Sequence, residues 1–145
     1  MEKFNLKDFD KSWIQSEVDE KCIQYMEGLG FHLCDKRNKY DKFPGYNAVT
    51  TSQMRNIFSE VKRIEVKLSS QEQWQREYPN ILLLRPKIAY NTARVISNKK
   101  DSRMKDLRAV LEKGLLAVKN EHDFKRFSQF FEGVIAYHKV YGGKD

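Results

Sequence analysis

Cysteine, proline and long apolar runs are scarce in this chain of 145 residues. Its two cysteines, Cys22 and Cys34, form no C-x-x-C pair, and no histidine stands beside either at ligand spacing. That excludes a zinc ribbon and a disulfide scaffold, and leaves two reduced, buried thiols as the expectation. The longest apolar run is "ILLL" at 81–84, far short of the roughly 20 residues that a membrane span needs. The opening "MEKFNLKDFD" lacks the apolar segment of a secretory signal. The expected location is the cytoplasm, with no membrane partner. Strict polar–apolar alternation is also rare, which argues against a sheet-rich fold.

Catalytic signatures are missing too. No H-E-x-x-H, G-x-S-x-G or phosphate-loop pattern occurs. Of the three histidines, His138 lies among Val134, Ile135 and Tyr141 and reads as a structural residue. His32 closes the first helix next to Phe31 and Leu33. His122 sits in "NEHDF", where Glu121 and Asp123 suit the positive end of a helix dipole better than an acid–base cluster. A metal-dependent nuclease built on Glu121 and Asp123 is the competing reading. The expectation is a non-enzyme with no cofactor and no metal.

What the chain does have is helical periodicity. Hydrophobic residues make up 40% and aromatics 12%, enough for a core. A first helix is expected over 11–28, with Ser12 and Gln15 as a capping box and Gly28 and Gly30 as its stop. Residues 31–49 show no period and read as a mobile loop. There Lys36, Arg37, Lys39 and Lys42 alternate with Tyr40, Phe43 and Tyr46. A second helix opens at Thr50, where Thr50-x-x-Gln53 is a capping box, and its apolar stripe runs from Met54 to Leu68. The polar stretch "SSQEQWQREYPN" reads as a linker to a third helix over 80–98. Pro86 either kinks that helix or starts a new one. Arg85 falls on its apolar side if the helix is regular, so either the kink swings it out or it pairs with a buried acid. A fourth helix covers 103–119, with Gly114 leaving room for a neighbour. The fifth, over 122–141, carries a broad face of phenylalanines. The sum is an all-α, single-domain bundle of about five helices over residues 1–145, with a frayed tail at 142–145.

Positive charge is concentrated. The net charge is +7, and residues 85–105 hold seven cations, Arg85, Lys87, Arg94, Lys99, Lys100, Arg103 and Lys105, against the single acid Asp101. On the third helix, Lys87, Tyr90, Asn91, Arg94 and Asn98 share the face opposite the apolar stripe. Cations for phosphates, amides for sugar or phosphate oxygens and a ring for stacking suit a nucleic-acid backbone held without reading sequence. A plain solvated face is the competing reading. Ser52, Arg55, Ser59, Lys62 and Arg63 lie on a similar strip of the second helix, so the two helices could flank one groove.

Three blocks resemble a known family in order. "TTSQMRNIFSEVKRI" at 50–64, "LLLRPKIAYNTAR" at 82–94 and "FKRFSQFFEGVIAYHKVY" at 124–141 resemble the small-subunit family of type III-A CRISPR effector complexes, the Csm complex. Asn91 and Thr92 stand where the family commonly has small residues. The resemblance implies an all-helical, non-catalytic antiviral-defence subunit that stacks head to tail, or as a dimer, along crRNA and target single-stranded RNA. Its other partners would be the backbone and large signature subunits. It implies RNA-holding roles for Arg55, Lys87 and Arg94. The reading of the residues themselves adds Lys62, Arg63, Tyr90, Lys99, Lys100 and Arg103. The alternative function is a helical protein-interaction module whose basic face meets an acidic protein and has no RNA role.

Overall fold

The computed structural model describes residues 4–143. A short 3-10 turn at Leu6–Asp8 leads into α1 (Ser12–Gln15), α2 (Glu20–His32), α3 (Thr51–Glu65), α4 (Gln71–Asn98), α5 (Met104–Leu116) and α6 (Glu121–Val140). No strand occurs among the described residues, and no helix among them is long and apolar enough to cross a membrane.

The expected first helix is two pieces. Ser12 does not cap it: the Ser12 N–H donates to Asp10 Oδ1 at 2.9 Å, and Gln15 Nε2 instead donates to the carbonyl of Ala117 at 2.9 Å. Asp19 takes over as a cap, its Oδ1 accepting from the Cys22 N–H at 2.9 Å. An aspartate that satisfies an orphan amide starts a new helix more readily than it continues an old one, and Val18 is left exposed at the break. Gly28 and Gly30 do not stop α2, which runs on to His32. Gly30 serves packing: a Cβ there would lie 2.7 Å from the backbone nitrogen of His138 on α6.

The capping box at α3 is present in both halves. Gln53 N–H donates to Thr50 Oγ1 at 3.1 Å, and Thr50 N–H donates to Gln53 Oε1 at 2.9 Å. Met54, Ile57, Val61 and Ile64 form its buried stripe.

The stretch expected as a linker is the first third of α4. Ser70 Oγ accepts from the Gln73 N–H at 3.3 Å and starts a helix of 28 residues, about 42 Å long. Pro79 and Pro86 both lie inside it, so Pro86 does not open a new helix. Each proline removes the bond to the carbonyl four residues back. Those carbonyls belong to Gln75 and Leu82, both exposed like the prolines themselves, so neither is left in the core. Arg85 is exposed too: the buried stripe is Ile81, Leu84, Ile88 and Thr92, one step to its side, and no carboxylate pairs with Arg85 among the described residues.

α6 is the central helix, in contact with α1, α2, α3 and α5, while α4 packs on α3 and α5. Phe124, Phe127, Phe130, Phe131 and Val134 of α6 are fully buried, and every α-helix adds side chains to the same apolar cluster. Gly114 of α5 admits Phe127, whose ring would lie 2.8 Å from a Cβ placed there. Buried Cys22 and Cys34 are free thiols. Burial pushes their pKa values up to about 12 and about 11, which keeps both protonated at neutral pH. At the end of α6, Gly142 adopts a φ of 84°, and the N–H groups of Gly142 and Gly143 donate to the carbonyls of Lys139 and His138. This is a glycine C-cap. Residues 144–145 of the expected tail lie outside the described residues.

The loop between α2 and α3 is pinned at its base. Val49 N–H donates to the Leu33 carbonyl at 2.8 Å, and Gly45 N–H to that of Cys34 at 2.9 Å. Asp35 accepts from the Asn47 N–H at 2.9 Å. His138, fully buried, has its Nε2 2.7 Å from the Val49 carbonyl. A carbonyl only accepts, so Nε2 carries the proton, and the histidine is the structural residue expected.

Candidate nucleic-acid interface

α3 and α4 lie side by side with a groove between them. Two adjoining hollows, of about 310 and 600 Å³, share Asn56, Asn91 and Arg94. The α4 wall is the strip expected from helical spacing: Lys87, Tyr90, Asn91, Arg94 and Asn98 all line it. One helix face delivers them because α4 buries its opposite side through Ile81, Leu84 and Ile88.

The α3 wall differs from expectation. It is built from Gln53, Asn56, Ser59 and Glu60, and neither Arg55 nor Lys62 lines the groove. Lys62 leans the other way, pairing with Glu65 at 2.9 Å. Glu65 in turn accepts from Ser128 Oγ of α6 at 2.9 Å. The bond to Glu65 raises the Lys62 pKa. Arg55 is exposed and has no carboxylate partner among the described residues. Arg63 pairs with Glu60 at 3.2 Å, and Glu60 also accepts from Lys87 Nζ at 3.4 Å. A carboxylate therefore sits between two of the cations proposed for the groove. The sequence reading passed over Glu60; its place three residues before Arg63 was the available signal.

At the far end of the groove, Lys99 Nζ donates to the Tyr46 carbonyl at 3.1 Å and lies 4.4 Å from the centre of the Tyr46 ring. Lys100 is exposed, without a carboxylate partner among the described residues. Arg103 turns inward. Its guanidinium donates to the His32 carbonyl at 2.8 Å and pairs with Asp35 at 2.9 Å. It also lies 3.0 Å from His32 Nδ1. Arginine only donates, so Nδ1 accepts, and the imidazole proton is on Nε2, 2.8 Å from Asp106 Oδ2. Burial lowers the His32 pKa, and Arg103 adds to that, against the pull of Asp106.

The start of α6 is a capping turn, with Asn120 as the N-cap. Asn120 Oδ1 accepts from the Asp123 N–H at 2.9 Å. Buried Asp123 accepts from the Lys119 N–H at 2.9 Å and pairs with Arg126 at 2.7 Å. No group of three or more metal-ligating side chains occurs among the described residues.

The groove is thus lined by amides, three cations (Lys87, Arg94 and Lys99) and one acid, Glu60, with one ring, Tyr90, whose centre lies 5.9 Å from the Arg94 guanidinium. Such a lining can hold phosphate and sugar oxygens. A family model described as Csm2 Type III-A matches residues 32–144. The chain is also 30% identical over 130 residues to a Streptococcus thermophilus protein described as "CRISPR system Cms protein Csm2". That match covers 88% of this chain and 97% of the relative. No solved structure matches.

Proposed function

The chain belongs to the Csm2 type III-A family, and from that premise we propose that it is a non-catalytic structural subunit of a type III-A CRISPR RNA-guided effector complex. It grips the backbone of the crRNA and its target RNA in the α3–α4 groove without reading sequence. The observation that carries this is the groove wall of α4, where Lys87 and Arg94 stand among Asn91 and Asn98. A complex redirected by each new guide leaves recognition to base pairing, and its protein holds phosphates and A-form shape. Arg55 and Lys100, exposed and unpaired with any described carboxylate, extend the cationic surface beyond the groove. Arg63 joins it when Glu60 is displaced, Lys62 lies at its edge, and Arg103 supports it from behind.

The partners in this reading are the backbone and large signature subunits, and further copies of the chain stacked head to tail, a contact that extends rather than closes. Such a complex acts in the cytoplasm in antiviral defence. The test is a gel-shift series on RNAs of unrelated sequence over a salt gradient. Affinity is expected to be alike for all sequences and to fall steeply with salt. Lys87→Glu with Arg94→Glu is expected to weaken it by about tenfold or more while the protein stays folded. Unchanged RNA affinity in that double variant overturns the groove assignment. No shift of any RNA at moderate salt favours the protein-interaction module instead.

A further inference from the structure

The loop between α2 and α3 shows its aromatic rings to solvent. Tyr40, Phe43 and Tyr46 are 84%, 72% and 74% exposed. Each ring has an ammonium group beside it: Lys39 Nζ at 5.3 Å from Tyr40, Lys42 Nζ at 5.3 Å from Phe43 and Lys99 Nζ at 4.4 Å from Tyr46. The turn is held by its own polar groups. Asp41 Oδ2 accepts from the N–H groups of Arg37 and Asn38, at 3.0 and 3.2 Å, and Lys36 Nζ donates to the Asp41 carbonyl at 2.8 Å. Asp35, at its base, is taken up by Arg103. Both acids of the loop are therefore held in place, and the cations Lys36, Arg37, Lys39 and Lys42 outnumber them.

We infer that residues 36–46 form a second RNA contact, a stacking platform for unpaired bases at the Lys99 end of the α3–α4 groove. The inference rests on the RNA-binding reading above and names a separate surface for it. Flat apolar faces alternating with anions are the chemistry of a single strand. Exposed bases stack on the rings while the neighbouring ammonium groups meet phosphates. An acidic protein surface would satisfy the lysines and leave three rings without flat partners. A duplex keeps its bases stacked inside and offers the rings nothing. Continuity with the groove is direct: Lys99 lines the groove and lies over Tyr46. A strand leaving the groove at that end meets the platform next.

The test uses the full chain and fluorescently labelled RNAs of equal length, single-stranded and duplex, across a salt gradient. Tyr40→Ala, Phe43→Ala and Tyr46→Ala combined are expected to lower single-strand affinity by about tenfold or more, from stacking lost at several bases. Duplex affinity is expected to stay within about twofold, and the salt slope unchanged, because no phosphate contact is removed. Tyr46→Phe is expected to bind like the parent chain, since stacking needs only the ring. Equal losses on both RNAs, or none on the single strand, overturn the platform. So does a triple variant that stops self-association, seen by sedimentation, while binding RNA normally. If Lys87→Glu with Arg94→Glu loses RNA and the triple variant does not, the groove stands and the platform alone falls. A parent chain that binds neither RNA removes both. Should the triple variant not fold, Tyr40→Ala alone, at the most exposed ring, is expected to cost the single strand about threefold or more.

Discussion

Glu60 of α3 reaches across the groove to Lys87 of α4 at 3.4 Å while holding Arg63 of its own helix at 3.2 Å. One carboxylate thus occupies the position where a phosphate would meet both cations. Arg63 and Lys87 are exposed and Glu60 is only partly covered, so the pairs add little to stability. In the proposed RNA-binding role, their effect is on binding. Glu60→Gln is expected to raise RNA affinity about threefold to tenfold at low salt and to steepen the salt dependence, because two cations become available to phosphates. Fluorescence anisotropy at several salt concentrations checks this. Equal affinity in parent and variant would mean that the α4 wall does not meet the RNA.

Two glycines two positions apart on α2 make an internal control for packing. Gly30→Ala places a methyl group 2.7 Å from the His138 nitrogen and 2.8 Å from Tyr137 Cβ, and one of these contacts is rigid backbone. The expected loss is about 1–3 kcal/mol, from overpacking. Gly28 has nothing within 4 Å of the same methyl group. Gly28→Ala is expected to gain up to about 1 kcal/mol from helix propensity. Urea unfolding midpoints of the two variants should move in opposite directions.

His32 gives a dependence on pH. Its pKa is lowered in the fold, first by burial, so the unfolded chain takes up a proton there before the folded one does. Stability is therefore whole above the ordinary histidine value of about 6.5 and declines as pH falls below it. The decline ends where folded His32 is itself protonated. Other groups also respond to acid, so the comparison is with His32→Gln. The drop in urea midpoint between pH 7.5 and pH 5.5 (roughly one unit either side of the histidine value) is expected to be smaller in the variant.

The cap of α3 is open to a direct measurement. Thr50→Ala removes the acceptor that Gln53 N–H uses at 3.1 Å and is expected to cost about 1 kcal/mol. Thr50→Ser keeps that acceptor and should restore most of it. A matching loss in both variants would assign the effect to the threonine methyl group instead.

The α3 capping box, the Gly114 approach, the phenylalanine face of α6 and the polar, cationic strip of α4 were all legible in the chain. Each is a local matter of spacing along one helix. The errors arose where elements compete or meet. Ile14, Val18 and Cys22 keep helical steps straight through a break, because periodicity does not register the cap that Asp19 provides. The polar stretch up to Pro79 reads as a linker, yet Ser70 caps a helix there and Trp74 and Ile81 give it a buried side. Glu60 could be placed on a helix face, but no spacing within α3 tells that Lys87 stands opposite. The inward turn of Arg103 likewise depends on His32 and Asp35, some seventy residues earlier in the chain.

α4 is not anchored evenly. Among its first ten residues Trp74 alone is buried, with Tyr78 against it at 5.4 Å between ring centres. From Ile81 onward a core residue follows at every turn as far as Thr92. Opening free energies should therefore climb along this one helix. Amides near Gln71 would exchange with solvent through local fraying, and those near Ile88 only when the bundle as a whole comes apart. The groove sits on the slowly exchanging part, so its wall keeps its shape while the other end of the same helix unwinds and reforms.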